Sequence, residues 1–208
     1  MKRPTGRAAR IRLLVLDVDG VLTDGGLFYG PSGEESKRFH VHDGLAIVAA
    51  QRAGLAVAVI SGRISDAVTR RTAELGITEV HQGIEDKTAV LARMATRLGV
   101  ALEQVAVMGD DFGDLPLMRR VGLALAPLNA VREVRRAAHW VSRHRGGDGA
   151  VRQAVELLLR ARNAWPPPGI SRQRPHPPSD ASPQEVVAPS KPKRGGGSRR
   201  PRFSQRGS

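Results

Sequence analysis

The run Ile11-Arg12-Leu13-Leu14-Val15-Leu16-Asp17-Val18-Asp19-Gly20-Val21-Leu22-Thr23-Asp24 decides the fold of this chain of 208 residues. It opens with the apolar residues 13–16, which predict a buried first strand over 11–18, and two carboxylates two positions apart follow these apolar residues. Successive side chains of a strand alternate in direction, so Asp17 and Asp19 are expected on one side. Ligands of α/β proteins bind beyond the carboxyl ends of the strands. The run therefore predicts a sheet with an acidic site at its edge.

Short apolar runs then alternate with longer amphipathic stretches, which is typical of βα units around a parallel sheet. The sequence predicts an α/β fold, a doubly wound Rossmann-like sheet of about six strands. Further strands are predicted at 56–60, 79–81, 104–108, 123–125 and 139–141, and helices at 43–52, 65–75, 86–98, 113–120, 131–137 and 149–162. Turn residues after the first strand flank segments 27–29 and 37–41, which predict a β-hairpin flap.

Nearly all of the net charge of +13 lies at the two ends of the chain. Residues 1–12 carry five Lys/Arg and no acid, and residues 165–208 carry nine Lys/Arg, two acids and ten of the fourteen prolines. We expect a basic disordered arm at 1–10, a domain at 11–164, and a disordered Pro/Gly/Arg-rich tail at 165–208. The tail's composition favours a solvated extension; contact with nucleic acid or an anionic surface is the alternative.

The chain contains no cysteine, which excludes disulfides, zinc-thiolate sites and cysteine nucleophiles. Its first apolar run is interrupted by Asp17, too early for a signal sequence or a membrane span. These features predict a cytoplasmic protein without a membrane span.

A second acidic cluster, Gly109-Asp110-Asp111-Phe112-Gly113-Asp114, follows the predicted strand 104–108. Parallel strands end at one edge of a sheet, so Asp110 or Asp111 is expected beside Asp17. Neighbouring carboxylates repel one another unless a cation intervenes, and Mg²⁺ prefers oxygen ligands. The two clusters together predict a magnesium site.

Two further features suit a phosphoryl group. Ser61-Gly62-Arg63 follows strand 56–60 and offers a hydroxyl and free backbone at a helix start, and Lys87 adds a positive charge at another helix start. Taken singly, an aspartate at a strand end is more often a cap, and a lysine is more often a solvated helix residue. The combination instead indicates phosphoryl transfer to a carboxylate.

In order and spacing these motifs resemble those of the haloacid dehalogenase-like phosphatases. Within that family the chain is most similar to the capless phosphatases of 3-deoxy-D-manno-octulosonate 8-phosphate. That similarity rests on Asp24-Gly25, 39–44 (Phe-His-Val-His-Asp-Gly), 82–87 (Gln-Gly-Ile-Glu-Asp-Lys) and 146–152 (Gly-Gly-Asp-Gly-Ala-Val-Arg). It covers about residues 11–162 and implies a phosphoric monoester hydrolase of lipopolysaccharide sugar biosynthesis. A related keto-deoxy nonulosonate or N-acylneuraminate phosphate, or a broader set of sugar phosphates, is the alternative substrate.

The resemblance also implies a role for each matching residue. Asp17 is the nucleophile, Asp19 the general acid and base, and Ser61 and Lys87 hold phosphoryl oxygens. Mg²⁺ is held by the carboxylates of Asp17 and Asp110 and the backbone carbonyl of Asp19, with Asp111 and Asp114 in support. The implied substrate contacts are Asp19, His40, Val41, His42, Asp43, Gly44, Val48, Arg63, Arg71 and Lys87.

The family usually has asparagine where this chain has His40 and arginine where it has His42. The alternative interpretation is that the two histidines simply share one exposed face of the hairpin. The intervals between Asp19, Ser61 and Lys87 are too short for a cap domain. A capless site either takes a large substrate or is covered by a neighbouring subunit, and the resemblance implies a homotetramer of the second kind. The non-enzymatic alternative is a scaffold for a nucleic-acid-binding tail.

Overall fold

The computed structural model describes residues 5–166. Its strands are β1 (Leu13–Leu16), β2 (Phe28–Tyr29), β3 (Glu35–Ser36), β4 (Ala56–Ile60), β5 (Glu79–His81), β6 (Val105–Met108), β7 (Leu123–Ala126) and β8 (Trp140–Val141). Its α-helices are α1 (Thr5–Ala8), α2 (Val41–Arg52), α3 (Asp66–Glu74), α4 (Lys87–Leu98), α5 (Leu115–Met118), α6 (Arg132–Ala137) and α7 (Ala150–Ala161). Short 3₁₀ turns lie at Leu102–Gln104 and Phe112–Asp114.

Six strands form one parallel sheet in the order β5-β4-β1-β6-β7-β8. Strand β1 pairs with β4 on one side and β6 on the other, in a register that places Leu16 opposite both Val59 and Met108. All four residues of β1 are buried because helices cover both faces of the sheet. The predicted doubly wound fold with about six strands is confirmed.

Alternating side chains of β1 enter two separate cores. Leu14 and Leu16 pack into the core formed with α2 and α7, whereas Leu13 and Val15 pack into the core formed with α4 and α5. This alternation is the period of a strand covered on both faces. Strand β1 therefore pairs along both edges and packs on both faces, which fixes the position of Asp17 directly after it.

The first strand and the hairpin differ from their predicted bounds. Strand β1 ends at Leu16 because the chain turns at Val18, whose carbonyl accepts bonds from the amides of residues 21–23. The second hairpin arm was predicted at 37–41, and this prediction is wrong. A tight turn closed by the Gly30 amide to the Glu34 carbonyl (2.9 Å) restarts the pairing at β3, and Val41 already begins α2.

The predicted disorder of residues 1–10 is wrong for residues 5–10. Residues 5–8 form α1, where Ala8 is buried in the core beside α7 and the Arg7 Nη1 donates to the Gly122 carbonyl (2.8 Å). A small side chain at position 8 lets this basic segment pack on the domain. The predicted tail lies outside the described residues except for Trp165, which packs against the core, and Pro166. Within 5–166, no helix has both the length and the apolar character needed to cross a membrane.

Candidate active site

The ends of three neighbouring strands meet at one cavity of about 490 Å³. Asp17 follows β1 directly, Ser61 follows β4 directly, and Asp110 follows β6 after one glycine. The cavity is also lined by Asp19, Asp24, Arg63, Glu85, Lys87, Asp111, Asp114 and Asn129. The structure thus brings together the predicted nucleophile, general acid, phosphoryl contacts and metal ligands.

Lys87 forms ion pairs with two of the carboxylates in this cavity. Its Nζ donates to Asp17 Oδ1 (2.7 Å) and to Asp114 Oδ1 (2.8 Å), and its side chain is 11% exposed. Lys87 begins α4, whose start is fixed by the Asp86 carboxylate accepting the Thr88 and Ala89 amides (2.9 and 3.1 Å). Burial acts to lower the pKa of Lys87, but the charges of Asp17 and Asp114 outweigh it and raise this pKa. Lys87 is therefore a firmly charged ammonium that orients Asp17.

One carboxylate oxygen from each of Asp17, Asp110 and Asp114 lies within 4.8 Å of the other two. Burial, followed by the charge of Asp114, raises the pKa of Asp17 to about 6. Burial, followed by the charges of Asp17 and Asp114, raises the pKa of Asp110 to about 7. These two carboxyls need a further positive charge to be ionised together, and an all-oxygen donor set fits Mg²⁺.

Asp114 differs from the other two because both its oxygens are already bonded. Oδ1 accepts from Lys87, and Oδ2 accepts the Asp110 amide (3.0 Å) and, at 3.4 Å, the Asp111 amide. Asp111 accepts the amide of Phe112 (2.7 Å) with its own side chain. The contacts of Asp114 and Asp111 fit the predicted support of the loop rather than direct ligation.

A glycine makes room for this arrangement at position 20. Gly20 has φ of +81°, and a Cβ there would overlap with the carboxylate of Asp110. The loop after β1 can therefore approach the loop after β6 only with glycine at this position.

Removal of metal gives a pH-dependent prediction. In the metal-free protein the pKa values of Asp17 and Asp110 lie above the ordinary 3.8, so the folded state holds more protons than the unfolded chain. Their contribution to the free energy of unfolding therefore falls as pH rises from about 4 to about 7. Mg²⁺ binds the ionised carboxyls, so its stabilisation should grow over the same interval.

At a Mg²⁺ concentration about 100 times the Kd, a stabilisation of about 2.7 kcal/mol raises Tm by about 5 to 10 °C. We expect this shift at about pH 8 and a smaller one at about pH 5.5, measured against EDTA. Asp110→Asn is the control and should lose most of the shift. Equal shifts at both pH values would contradict the assignment.

Ser61 and Arg63 also line the cavity. Ser61 is buried, and its Oγ accepts the Arg63 amide (3.2 Å). The Arg63 side chain turns toward the hairpin, where its Nη2 donates to Glu35 Oε2 (2.5 Å). Ser61 is thus positioned beside the carboxylates, and Arg63 lies at the rim.

Sequence reasoning missed three residues at this site: Lys37, Glu35 and Asn129. Lys37 lies on the segment after β3 with its side chain fully buried, and its Nζ contacts Asp19 Oδ1 (2.5 Å) and Glu35 Oε1 (3.1 Å). Asn129 connects two loops: its Nδ2 donates to the Gly20 carbonyl (3.1 Å) and its Oδ1 accepts the Gly146 amide (2.6 Å). The cluster of unlike charges around 34–38 was the available signal for the first two residues.

Six predicted substrate contacts do not line this cavity: His40, Val41, His42, Asp43, Gly44 and Arg71. Val48 does not line it either and packs at the edge of the core. His40 and His42, with ring centroids 5.1 Å apart, line a different cavity together with His144, Asp148 and Arg152. Within one chain these residues lie apart from the carboxylates, because α2 begins at Val41 and carries them away from the strand ends. Their role as substrate contacts stays a prediction.

Asp43 has a defined structural role. Its carboxylate is 1% exposed and accepts the amides of Gly149 (3.2 Å) and Arg152 (2.6 Å) at the start of α7. Burial raises the pKa of Asp43 in spite of these two bonds. The side chain thus joins α2 to the N-terminus of α7, where a carboxylate is favoured by the helix dipole.

Asp43→Ala should lower the free energy of unfolding by about 1 to 3 kcal/mol, because it leaves buried amides without a partner. Urea unfolding measures this loss, and Asp43→Asn, which keeps one acceptor oxygen, is the matched control with a smaller effect. An unchanged unfolding midpoint for Asp43→Ala would show that the junction is held by packing alone.

Comparison with known proteins identifies the family of this chain. The model of the haloacid dehalogenase-like hydrolases matches residues 73–154. The 3-deoxy-D-manno-octulosonate 8-phosphate phosphatase of Escherichia coli K12 is 44% identical over 155 residues, 74% of this chain and 82% of the relative. The crystal structure of the Moraxella catarrhalis phosphatase with magnesium, phosphate and KDO superposes with a TM-score of 0.77 at 38% identity, covering 79% of this chain and 94% of that one.

A cobalt-bound phosphatase of the same kind from Haemophilus influenzae matches with a TM-score of 0.73 at 39% identity, covering 76% of this chain and 92% of that one. The resemblance stated from the sequence motifs is confirmed by these matches. With its carboxylates at the ends of β1 and β6 and with a relative that is 44% identical over 155 residues, this chain belongs to the haloacid dehalogenase-like hydrolases, in the branch of the 3-deoxy-D-manno-octulosonate 8-phosphate phosphatases.

Proposed function

We propose that this chain is a Mg²⁺-dependent phosphatase that hydrolyses 3-deoxy-D-manno-octulosonate 8-phosphate to the free sugar acid and phosphate. The observation that carries the proposal is the bond from Lys87 to Asp17, which aims a nucleophilic carboxylate into a cavity shared with Asp110 and Ser61. The 44% identity to the Escherichia coli phosphatase supports the choice of substrate.

In the first step of the proposed reaction Asp17 attacks phosphorus, a P–O bond forms, and the bond to the sugar oxygen breaks. Asp19 gives its proton to that departing oxygen, and Lys87 and Ser61 hold the phosphoryl oxygens. In the second step Asp19 takes a proton from water while the water oxygen attacks phosphorus, which releases phosphate and restores Asp17.

Asp17, Asp110 and the Asp19 carbonyl would hold Mg²⁺, which when bound offsets the negative charge of the phosphoryl group and the carboxylates. Lys87 keeps Asp17 oriented throughout, and Asp114 keeps Lys87 and the Asp110 loop in place. The protein's contribution is thus mainly positioning and charge stabilisation, as is usual for phosphoryl transfer.

The test is phosphate release with Mg²⁺ from 3-deoxy-D-manno-octulosonate 8-phosphate and a panel that includes nine-carbon keto-deoxy and N-acylneuraminate phosphates and common sugar phosphates. Turnover concentrated on the eight-carbon ester supports the proposal. Turnover spread over the panel keeps the chemistry and rejects the substrate. No metal-dependent turnover on any ester rejects the function.

We also propose that the active chain is a cytoplasmic homotetramer in which a neighbouring subunit covers the open site. Three apolar residues on the hairpin support an interface: Leu27, Phe28 and Tyr29 are 43%, 55% and 63% exposed. The lack of cysteine in the chain fits a reducing compartment. Light scattering should give four times the 22.4 kDa of one chain, and Phe28→Ser should lower that mass.

A further inference from the structure

Four charged side chains form a closed ring between the hairpin and the catalytic loop. Lys37 Nζ contacts Asp19 Oδ1 (2.5 Å) and Glu35 Oε1 (3.1 Å). Arg63 closes the ring, with Nη2 at 2.5 Å from Glu35 Oε2 and Nε at 3.6 Å from Asp19 Oδ2. Two residues of the ring come from the hairpin, one from the loop after β1 and one from the loop after β4.

The ring is most buried at Lys37. The Lys37 side chain is 0% exposed, against 16% for Glu35, 25% for Asp19 and 46% for Arg63. A lysine ammonium removed from water requires charged partners, and Lys37 has two carboxylates within 3.1 Å. Burial acts to raise the pKa of Glu35, but hydrogen bonds from Arg63 and Lys37 outweigh it and lower this pKa. Glu35 is thus held in the hairpin as an ion, and it fixes Lys37 beside Asp19.

The two oxygens of Asp19 have different surroundings. Oδ1 is bonded to the buried ammonium of Lys37, whereas among residues 5–166 Oδ2 has only the longer contact to Arg63 at the rim of the cavity. A carboxylate held at one oxygen by a buried group loses most of its rotation about χ1 and χ2. Oδ2 is therefore the oxygen available to the substrate.

We propose that Lys37, itself held by Glu35, is a positioning residue that presents Oδ2 of Asp19 to the departing sugar oxygen. The inference rests on the proposed function, since it assigns the proton transfer of that reaction to one oxygen. Neither Lys37 nor Glu35 touches the phosphoryl group in this role; both act through Asp19. The hairpin is then part of the catalytic apparatus as well as a flap.

Leaving-group dependence separates positioning from a general structural role. A sugar alkoxide is a poor leaving group and needs the proton of Asp19 as its P–O bond breaks, whereas a nitrophenolate leaves without it. The ratio kcat/KM reports only the steps up to the departure of the leaving group, so it isolates the first proton transfer. Loss of positioning should therefore lower kcat/KM for an alkyl phosphate and spare an aryl phosphate.

We expect Lys37→Met to lower kcat/KM about 100-fold for the sugar phosphate and less than about 5-fold for p-nitrophenyl phosphate. Lys37→Arg should recover part of the loss. Asp19→Asn should show the same selective pattern. Adding Lys37→Met to this variant should cause no further loss of kcat/KM, because both substitutions remove the same proton transfer. Arg38→Met is the matched control: Arg38 is the neighbouring cation, exposed and paired with Asp24 (2.9 Å), and should leave both rates within about two-fold.

Equal loss for both esters, or additive losses in the double variant, would overturn the proposal. Should Lys37→Met fail to fold in a thermal melt, Glu35→Gln provides the same comparison with a smaller selective loss. A wild-type protein that hydrolyses neither ester would reject the proposed function, and the inference with it. Wild-type activity with unselective variants would reject the inference alone.

Discussion

Asp17→Asn is expected to abolish phosphate release, with a loss of about 10⁴-fold or more in kcat. Asparagine keeps the shape of the side chain, but its amide is a poor nucleophile and cannot form the phosphorylated enzyme. Asp17 directly follows the central strand, and an asparagine oxygen can still accept the bond that Lys87 donates at 2.7 Å, so the substituted side chain should keep its place in the cavity. The measurement is phosphate release under saturating substrate and Mg²⁺.

The fold of this variant provides the control for the loss of activity. Asp17 is a carboxyl whose pKa is raised to about 6 by burial and by Asp114, so its ionised form costs stability at neutral pH. Asp17→Asn should therefore unfold at the wild-type temperature or slightly above it in EDTA. Residual turnover within about tenfold of wild type would mean that another group attacks phosphorus.

Lys87→Met is expected to lower both stability and activity. The substitution leaves Asp17 and Asp114 without their shared cation, and breaking a buried ion pair in this way costs about 3 to 5 kcal/mol. For a chain of this length that corresponds to a fall in Tm of about 6 to 20 °C in EDTA at about pH 8. Loss of one charged contact to the phosphoryl group should also lower kcat by about 10³-fold.

The pH dependence identifies the cause of this instability. The pKa of Lys87 is raised above its ordinary 10.5, so its ammonium stays charged between about pH 5 and 8 and causes no pH dependence by itself. The pKa values of Asp17 and Asp110 are raised to about 6 and about 7, so these carboxyls take up protons as pH falls through that interval. The Tm difference between Lys87→Met and wild type should therefore shrink at about pH 5. A constant difference would indicate lost packing of the lysine side chain.

Much of the fold follows from local signals in the sequence. Strands β4 and β5 have the bounds that were predicted, because each is a short extended run between turn residues. The helices differ from prediction mostly at their ends, as with α4, where Asp86 is the cap rather than the first residue. The hairpin could not be placed in the same way, since the alternating residues 37–41 satisfy a strand pattern while tertiary contacts begin a helix at Val41.

The residues of the site were likewise predicted where local sequence position decides them and missed where tertiary contacts do. Asp17, Ser61, Lys87 and Asp110 were found because each follows a strand or begins a helix, where position alone predicts convergence. Lys37 was missed because a lysine buried by a folded hairpin has the same local sequence as a solvated one. The residues from His40 to Gly44 were grouped with the site by resemblance, and the course of α2 separates them from it within one chain.

The position of β1 in the sheet also has a consequence during synthesis. Strand β1 is the first strand made, yet its partner β6 is completed about 90 residues later. At about 5 to 20 residues per second, this apolar segment waits roughly 5 to 20 s for its second neighbour. An apolar strand with an unpaired edge favours aggregation and chaperone binding during that time. The yield of folded protein should therefore depend on translation rate and temperature as well as on the stability of the finished domain.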